Sequence, residues 1–252
     1  MIIESYIYKG LTYFAKKLEG LSMTDVLVTG ANRGLGLGFV KNYLGKNINV
    51  VGTTRDLKSS KELLAIKERF PNNLEIFELD LLKESAGHTL SNFLGDRPID
   101  ILINNAGVGS TNQHFQAVLP KPWLEVLKVN LIAPLMVTQA IIDNVKKGSD
   151  KKIYFLSSQL GSIADNTSGG MYIYRSSKTG LNQVVKSLSV DLKPQGITVV
   201  SLHPGWVKTD MGGPNAPVSI DESIKGMIKV IYATDIRDTG RFLNYNGKEL
   251  PW

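Results

Sequence analysis

Residues 29–36 read Thr29-Gly30-Ala31-Asn32-Arg33-Gly34-Leu35-Gly36, directly after the apolar run Val26–Thr29. Glycine is required where a chain turns sharply off a strand and where backbone must approach a pyrophosphate. A helix opening at about Gly34 presents free N–H groups and the positive end of its dipole to such an anion. Working outward, short apolar runs recur at Ile48–Thr53, Leu74–Leu79, Ile101–Asn104, Ile153–Ser157, Thr198–Leu202 and Phe242–Asn244. They are near-continuous rather than alternating, as strands buried on both faces should be. Helical patterns lie between them at about 35–45, 58–69, 83–94, 122–146, 172–192 and 220–233. Seven strands alternating with helices predict an α/β fold: one domain over 24–252, with a doubly wound, mostly parallel seven-stranded sheet covered by helices on both faces.

Composition narrows the function. The chain has 252 residues, no cysteine and three well-separated histidines, His88, His114 and His203. Disulfides, thiolate catalysis and Cys-ligated metal sites are excluded, and no metal site is expected. The lack of cysteine suits a reducing compartment, and a cytoplasmic protein is expected. No run reaches the 18 or so apolar residues of a spanning helix. The net charge of +6 is scattered, with its densest stretch at Lys146, Lys147, Lys151 and Lys152 diluted by Asp143 and Asp150. That argues against nucleic acid and suits a phosphate-bearing cofactor. Residues 1–23 stand apart. Ile3, Ile7, Leu11, Phe14, Leu18 and Leu21 recur at helical spacing. They read as an extension without function, or as an amphipathic helix for a membrane surface or for the protein itself; Met23 is an alternative start.

The glycine spacing, three residues and then one, resembles the Thr-Gly-x-x-x-Gly-x-Gly turn of the short-chain dehydrogenase/reductase family, whose fold is of the Rossmann type. Asn104-Asn105-Ala106-Gly107 after the fourth strand resembles a second motif of that family. The resemblance implies nicotinamide-cofactor contacts at Gly30, Asn32, Arg33, Gly34, Leu35, Gly36, Asn105, Ala106 and Gly107. The second strand decides between the two cofactors, because an acid there binds the ribose hydroxyls and arginine binds a 2′-phosphate. Here it ends Thr53-Thr54-Arg55-Asp56. Arg55, joined by Arg33, favours NADP(H), since each guanidinium can grip a phosphate bidentately. Asp56 dissents, or caps the next helix. Asp80-Leu81 follows the third strand, and the resemblance gives Asp80 an adenine contact, with helix capping as the alternative.

Tyr174-Arg175-Ser176-Ser177-Lys178 places a phenol and an ammonium one helical turn apart. A free phenol has a pKa of about 10, and a nearby cation favours its ionised form, so the pair can serve as a general acid or base. Ser158 ends the fifth strand, where its hydroxyl can bond a substrate carbonyl oxygen; such a donor is worth roughly 3–4 kcal/mol. The resemblance assigns the catalytic role to the second serine of the Ser157-Ser158 pair and leaves Ser157 structural. The resemblance gives Asn130 the place of the asparagine that bends a helix and holds a water linked to the lysine. Ser158 and Tyr174 stand farther apart than is usual in the family, and 165–170 reads as an inserted loop that shapes the substrate site. His203-Pro204-Gly205-Trp206-Val207-Lys208-Thr209-Asp210 follows the sixth strand. There the resemblance implies nicotinamide contacts from Pro204, Gly205, Val207 and Thr209. His203 reads as core, Trp206 as packing or pocket wall, and the Gly- and Pro-rich 211–220 as a mobile lid.

Gly169-Gly170-Met171-Tyr172, the stretch from His203 to Gly213 and the final Gly-Lys-Glu-Leu-Pro-Trp are closest to the family's sniffer-type carbonyl reductases. The resemblance implies NADPH-dependent reduction of a carbonyl, with Tyr174 as proton donor, Lys178 tuning it and holding the cofactor ribose, Ser158 polarising the carbonyl and Asn130 supporting a proton relay; Tyr174 and Leu81 are also expected to contact the cofactor. It also implies a small-molecule substrate and a homodimer or homotetramer. Leu181, Val184, Val185, Leu188 and Leu192, on one face of the catalytic helix, serve as core or as subunit interface. Two rival readings are an NADP-binding sensor or scaffold with little turnover and an NAD-linked alcohol dehydrogenase resting on Asp56.

Overall fold

The structure, a computed structural model, describes residues 25–111 and 113–252, so the proposed 1–23 extension lies outside the described residues. Its strands are β1 (Asp25–Val28), β2 (Asn49–Thr54), β3 (Leu74–Glu78), β4 (Ile101–Asn104), β5 (Lys152–Leu156), β6 (Thr198–His203) and β7 (Phe242–Asn244). They form one sheet in the order β3-β2-β1-β4-β5-β6-β7. Every strand pairing in it is parallel. Strand order reverses between β1 and β4, which opens a crevice beyond their carboxyl ends, the place where open α/β sheets bind ligands.

The helices are α1 (Gly34–Leu44), α2 (Lys61–Arg69), α3 (Ala86–Leu94), α4 (Pro120–Leu127), α5 (Ala133–Ala140), α6 (Ile142–Lys147), α7 (Tyr172–Leu192) and α8 (Ile220–Ala233). Successive strand side chains point to opposite faces, so the near-continuous apolar runs feed two cores. Val26, Val28, Ile101 and Ile103 pack with Phe39 of α1, Leu63 of α2 and Ile228 of α8. Leu27, Leu102, Ile153 and Val199 pack with Leu90 of α3, Val137 of α5, Val145 of α6 and Leu181 of α7. Fully burying one such side chain is worth roughly 1.5–3 kcal/mol. Leu181, Val185 and Leu192 are buried in this second core, with Leu188 packed against it. These four residues are core, whereas Val184 is half-buried and outside this cluster.

The helix expected over 122–146 is broken. A π-helical turn at Lys128–Ile132 separates α4 from α5, and Ile141 leaves helical geometry before α6. Pro134 has no N–H to offer the carbonyl of Asn130 four residues earlier, and the helix widens there. The helices after β2 and β3 begin three residues later than the pattern suggests, at Lys61 and Ala86. In each case an aspartate caps a turn before the helix. Asp56 Oδ1 accepts from the Lys58 N–H at 2.9 Å, and Asp80 Oδ1 from the Leu82 N–H at 3.0 Å.

Candidate active site

The glycine turn sits at the crevice. Gly30 has φ +66°, a left-handed conformation that favours glycine, and Gly34 has φ +55°. A Cβ on Gly36 would lie 2.1 Å from the Gly30 carbonyl oxygen. The loop after β4 holds the turn in place. Asn105 Nδ2 donates to the carbonyls of Thr29 and Gly30 at 2.8 and 3.0 Å, and Thr29 Oγ1 accepts from the N–H groups of Asn105 and Ala106. The Asn105 amide thus locks two loops together. Arg33, at the N-cap of α1, makes no side-chain cap, so the first-turn N–H groups of the helix have no intrahelical partner.

At the end of β2, Thr54 is buried and its hydroxyl contacts Ser60 Oγ at 2.8 Å. Arg55 is exposed, and no described residue pairs with its guanidinium. Asp56 bends onto its own loop, and hydrogen bonds from the Lys58 N–H and the Ser59 side chain hold its carboxyl below the usual carboxylate range. Neither Asp56 nor Asp80 caps a helix. Arg33, expected to converge with Arg55, instead pairs with Asp210 at 2.7 Å, an exposed pair that ties the glycine turn to the segment after β6.

Ser158, Tyr174, Lys178 and Asn130 converge where β5, α7 and the π turn meet. Asn130 is fully buried. Its Oδ1 accepts from the Val108 N–H at 2.8 Å, while Nδ2 donates to the Val108 carbonyl at 2.9 Å and to Ser177 Oγ at 3.1 Å. The Lys178 ammonium donates to the Leu156 carbonyl at 2.8 Å and lies 5.7 Å from the Tyr174 ring centroid. Burial pulls it down to about 8. Burial also pushes the Tyr174 phenol up to about 12, opposed by an interaction with the Ser158 side chain. Burial of the phenol thus opposes its ionisation, while the Ser158 side chain favours it. Both members of the pair are desolvated, and desolvation penalises the charged form of each. The Ser158 hydroxyl accepts from the Leu160 N–H at 3.2 Å. Ser157 is structural, donating to Asn182 Oδ1 at 2.7 Å.

Ser158 and Tyr174 are in contact, and the 165–170 loop between them is tied to its flanking segments. Arg175 donates to the Leu160 carbonyl at 3.4 Å and to Ser168 Oγ at 2.8 Å, and Gln159 Nε2 donates to Asp165 Oδ2 at 3.1 Å. The Trp252 main-chain oxygen accepts from Ile163 N, Ala164 N and Ser162 Oγ, each at 3.0 Å. The Trp252 anchors have no sequence signal, since they join residues about 90 positions apart.

Beyond β6, Pro204 accepts from Ser223 Oγ at 2.6 Å. The 211–220 segment is fastened at its base by a Val207–Val218 bridge. Trp206 Nε1 donates to the Gly212 carbonyl at 2.8 Å, while the residue as a whole is exposed. Thr209 Oγ1 accepts from the Gly212 N–H at 3.1 Å. His203 is buried, and burial pulls its imidazole from 6.5 down to about 4. As pH falls, the unfolded chain takes up this proton first. The stability due to neutral His203 is complete above pH 6.5 and is lost as pH falls to about 4, on the order of 3 kcal/mol. Urea unfolding of His203→Asn between pH 7 and 4 is expected to show a flatter pH dependence than wild type by about that amount.

Among the described residues no cluster of His, Cys, Asp and Glu fits a metal ion. No helix among them is long and apolar enough to cross a membrane.

A glycine turn at a topological switch point, with Ser, Tyr and Lys side chains gathered beside it, marks the class of dinucleotide-binding α/β oxidoreductases. Comparison with known proteins narrows this. The family pattern described as short chain dehydrogenase matches residues 24–217. The carbonyl reductase Sniffer of D. melanogaster has a similar structure, with a TM-score of 0.86 and 39% identity, covering 92% of this chain and 100% of that one. An NADPH-bound carbonyl reductase from chicken fatty liver gives a TM-score of 0.84 and 37% identity over the same shares. An uncharacterized oxidoreductase of Saccharomyces cerevisiae is 31% identical, covering 90% of this chain and 97% of that one. The chain belongs to the short-chain dehydrogenase family and is an oxidoreductase.

Proposed function

We propose that this protein is an NADPH-dependent carbonyl reductase that converts an aldehyde, ketone or quinone to the alcohol. The observation that carries this reading is the convergence of the Tyr174 phenol with the buried Ser158 hydroxyl and the buried Lys178 ammonium beside the glycine turn. A protonated phenol is the form that reduction needs, because the carbonyl oxygen gains a proton as its carbon gains a hydride.

The crevice fits a dinucleotide. Its backbone is stripped of side chains where a pyrophosphate would approach, and a Cβ at Gly36 would fill the cradle. In this reading the turn from Gly30 through Asn32, Gly34, Leu35 and Gly36 holds the pyrophosphate. Arg55 and Arg33 hold the 2′-phosphate, with Arg33 exchanging Asp210 for it. Asp80 keeps Oδ2 for the adenine edge, with Leu81 beside it. Ala106 and Gly107 border the nicotinamide side, held there by Asn105. Pro204, Gly205, Val207 and Thr209 line the far wall. The NADPH-bound chicken reductase supports the choice of cofactor. The cofactor supplies the hydride when bound.

The chain's own groups do the rest. Ser158 donates to the carbonyl oxygen as negative charge grows on it, and Tyr174 delivers its proton to that oxygen. Lys178 steadies the phenolate left behind and holds the ribose. Asn130 clamps the Val108 loop to α7 and supports the return of the proton.

Turnover of a panel of aldehydes, ketones and quinones, followed by nicotinamide absorbance with NADPH and then NADH, tests the reading. A preference for NADPH is expected. A preference for NADH would return the case to Asp56 and the NAD-linked dehydrogenase, and tight NADPH binding without turnover would favour a sensor. Arg55→Ala is expected to raise the NADPH KM about tenfold, roughly 1.4 kcal/mol, and to leave the NADH KM unchanged. Arg33→Ala is expected to cost less, because its free state already has a partner in Asp210.

A further inference from the structure

Helix α7 starts without a cap of its own. Its N-cap residue is Met171, in left-handed geometry (φ 50°, ψ 37°) with no side-chain oxygen to offer. Gly169 and Gly170 before it are also left-handed, at φ +64° and +63°. The chain thus enters the catalytic helix through three consecutive left-handed residues, and a first-turn N–H that nothing local can satisfy belongs to Tyr174 itself. That N–H donates to Gln113 Oε1 at 2.8 Å, from a loop 61 residues earlier. The same amide turns its other end to the Ser110 carbonyl, with Nε2 at 2.7 Å. Gln113 is half-buried and lines a cavity of about 360 Å³ with Ser110, His114, Gly170 and Met171.

We infer that Gln113 is a positioning residue for the reaction: it caps the catalytic helix at Tyr174 and ties the wall of the adjoining cavity to that cap. This rests on the reductase reading for its kinetic consequences, although the cap itself does not depend on it. One planar amide performs both tasks because it carries an acceptor at one end and donors at the other. The first task sets where the phenol stands; the second sets the shape of the pocket beside it. Small displacements matter here, since a misplacement of about 1 Å can cost on the order of a hundredfold in rate.

The two tasks separate by substitution. Gln113→Ala removes both bonds. Gln113→Glu keeps an acceptor for the Tyr174 N–H, with a charge that suits a helix N-terminus, but cannot donate to the Ser110 carbonyl. The experiment compares the two variants with wild type by steady-state kinetics with NADPH and a carbonyl substrate, and by amide hydrogen exchange over residues 172–178. In Gln113→Ala, kcat is expected to fall about tenfold or more and exchange to quicken at the start of α7. In Gln113→Glu, kcat and protection are expected to return to within about threefold of wild type while KM stays raised severalfold. The inference is overturned if Gln113→Ala keeps wild-type kcat and protection, or if Gln113→Glu is as deficient in both as Gln113→Ala. Should wild type reduce no carbonyl, the proposed function falls, and exchange alone decides the cap. Quickening in the alanine variant that the glutamate variant reverses supports it; equal exchange in all three overturns it.

Discussion

Tyr174→Phe is expected to lower kcat by about 10³- to 10⁴-fold while the dissociation constant for NADPH changes less than about twofold. The substitution removes one oxygen. A positioned general acid contributes typically 10²–10⁴ in rate, and no other described group that could replace this one lies against Ser158. Lys178 stands one helical turn away, and its Nζ donates to the Leu156 carbonyl at 2.8 Å. The phenol stands in the chemistry and outside the phosphate cradle, so cofactor affinity should survive. Measurement of kcat beside NADPH fluorescence titration separates the two. Unchanged turnover would remove Tyr174 from the mechanism, and a large loss of affinity would make it a binding residue instead. The pH dependence has a defined sign as well. The protonated phenol is the active form for reduction, and burial pushes it up to about 12. The protein's own groups therefore predict no alkaline loss of reduction that stems from Tyr174 until well above neutral pH.

Ser158→Ala should cost about 10²- to 10³-fold in kcat, roughly 3–4 kcal/mol of transition-state stabilisation. The serine is buried at the end of β5, and its oxygen accepts from the Leu160 N–H. That bond orients the hydroxyl so that its proton points away from Leu160. A donor aimed in advance at developing charge needs no reorganisation when the reaction occurs. Ser158→Thr keeps the hydroxyl and should recover a large part of the rate, whereas Ser158→Ala leaves the Leu160 N–H without its partner as well. A control at Ser157 sharpens the result. Ser157 donates to Asn182 Oδ1 within a buried network, so Ser157→Ala should lower the melting temperature with a much smaller effect on kcat. Equal kinetic losses at the two serines would contradict the assignment.

The legibility of the site follows the range of its interactions. Tyr174 and Lys178 could be paired from spacing because helix geometry alone brings residues four apart onto one face. Ser158 lies at a strand end that opens toward the crevice, and resemblance to the family's Ser-Ser pair distinguishes it from Ser157. The π turn at Asn130 was legible only as a bend; that it arises where Pro134 withholds an N–H, and that the Asn130 amide is committed to Val108 and Ser177, needed the packed structure. The electrostatics of the pair likewise depend on burial. Proximity of Lys178 suggested a phenol drawn toward ionisation, but the sign depends on burial of both groups, which no spacing encodes. Arg33 looked free for a phosphate and is paired with Asp210, 177 residues away. Gln113 carried no signal at all, since nothing in its surroundings announces a cap for a helix that begins at Tyr172.

By itself, the amino-acid sequence determined the parts governed by local rules. Apolar runs buried on both faces dictate a parallel sheet between two helical layers. Glycines at Gly30, Gly34 and Gly36 dictate a turn that only side-chain-free backbone can make, and a spacing of four dictates the Tyr174–Lys178 pair. Tertiary structure alone decided which loops lock together, which charges are already paired, and which protonation state burial imposes. Those outcomes depend on contacts between residues tens to hundreds of positions apart. Their energies come from desolvation and hydrogen bonding at the meeting point, and such terms do not exist until the chain has folded around them.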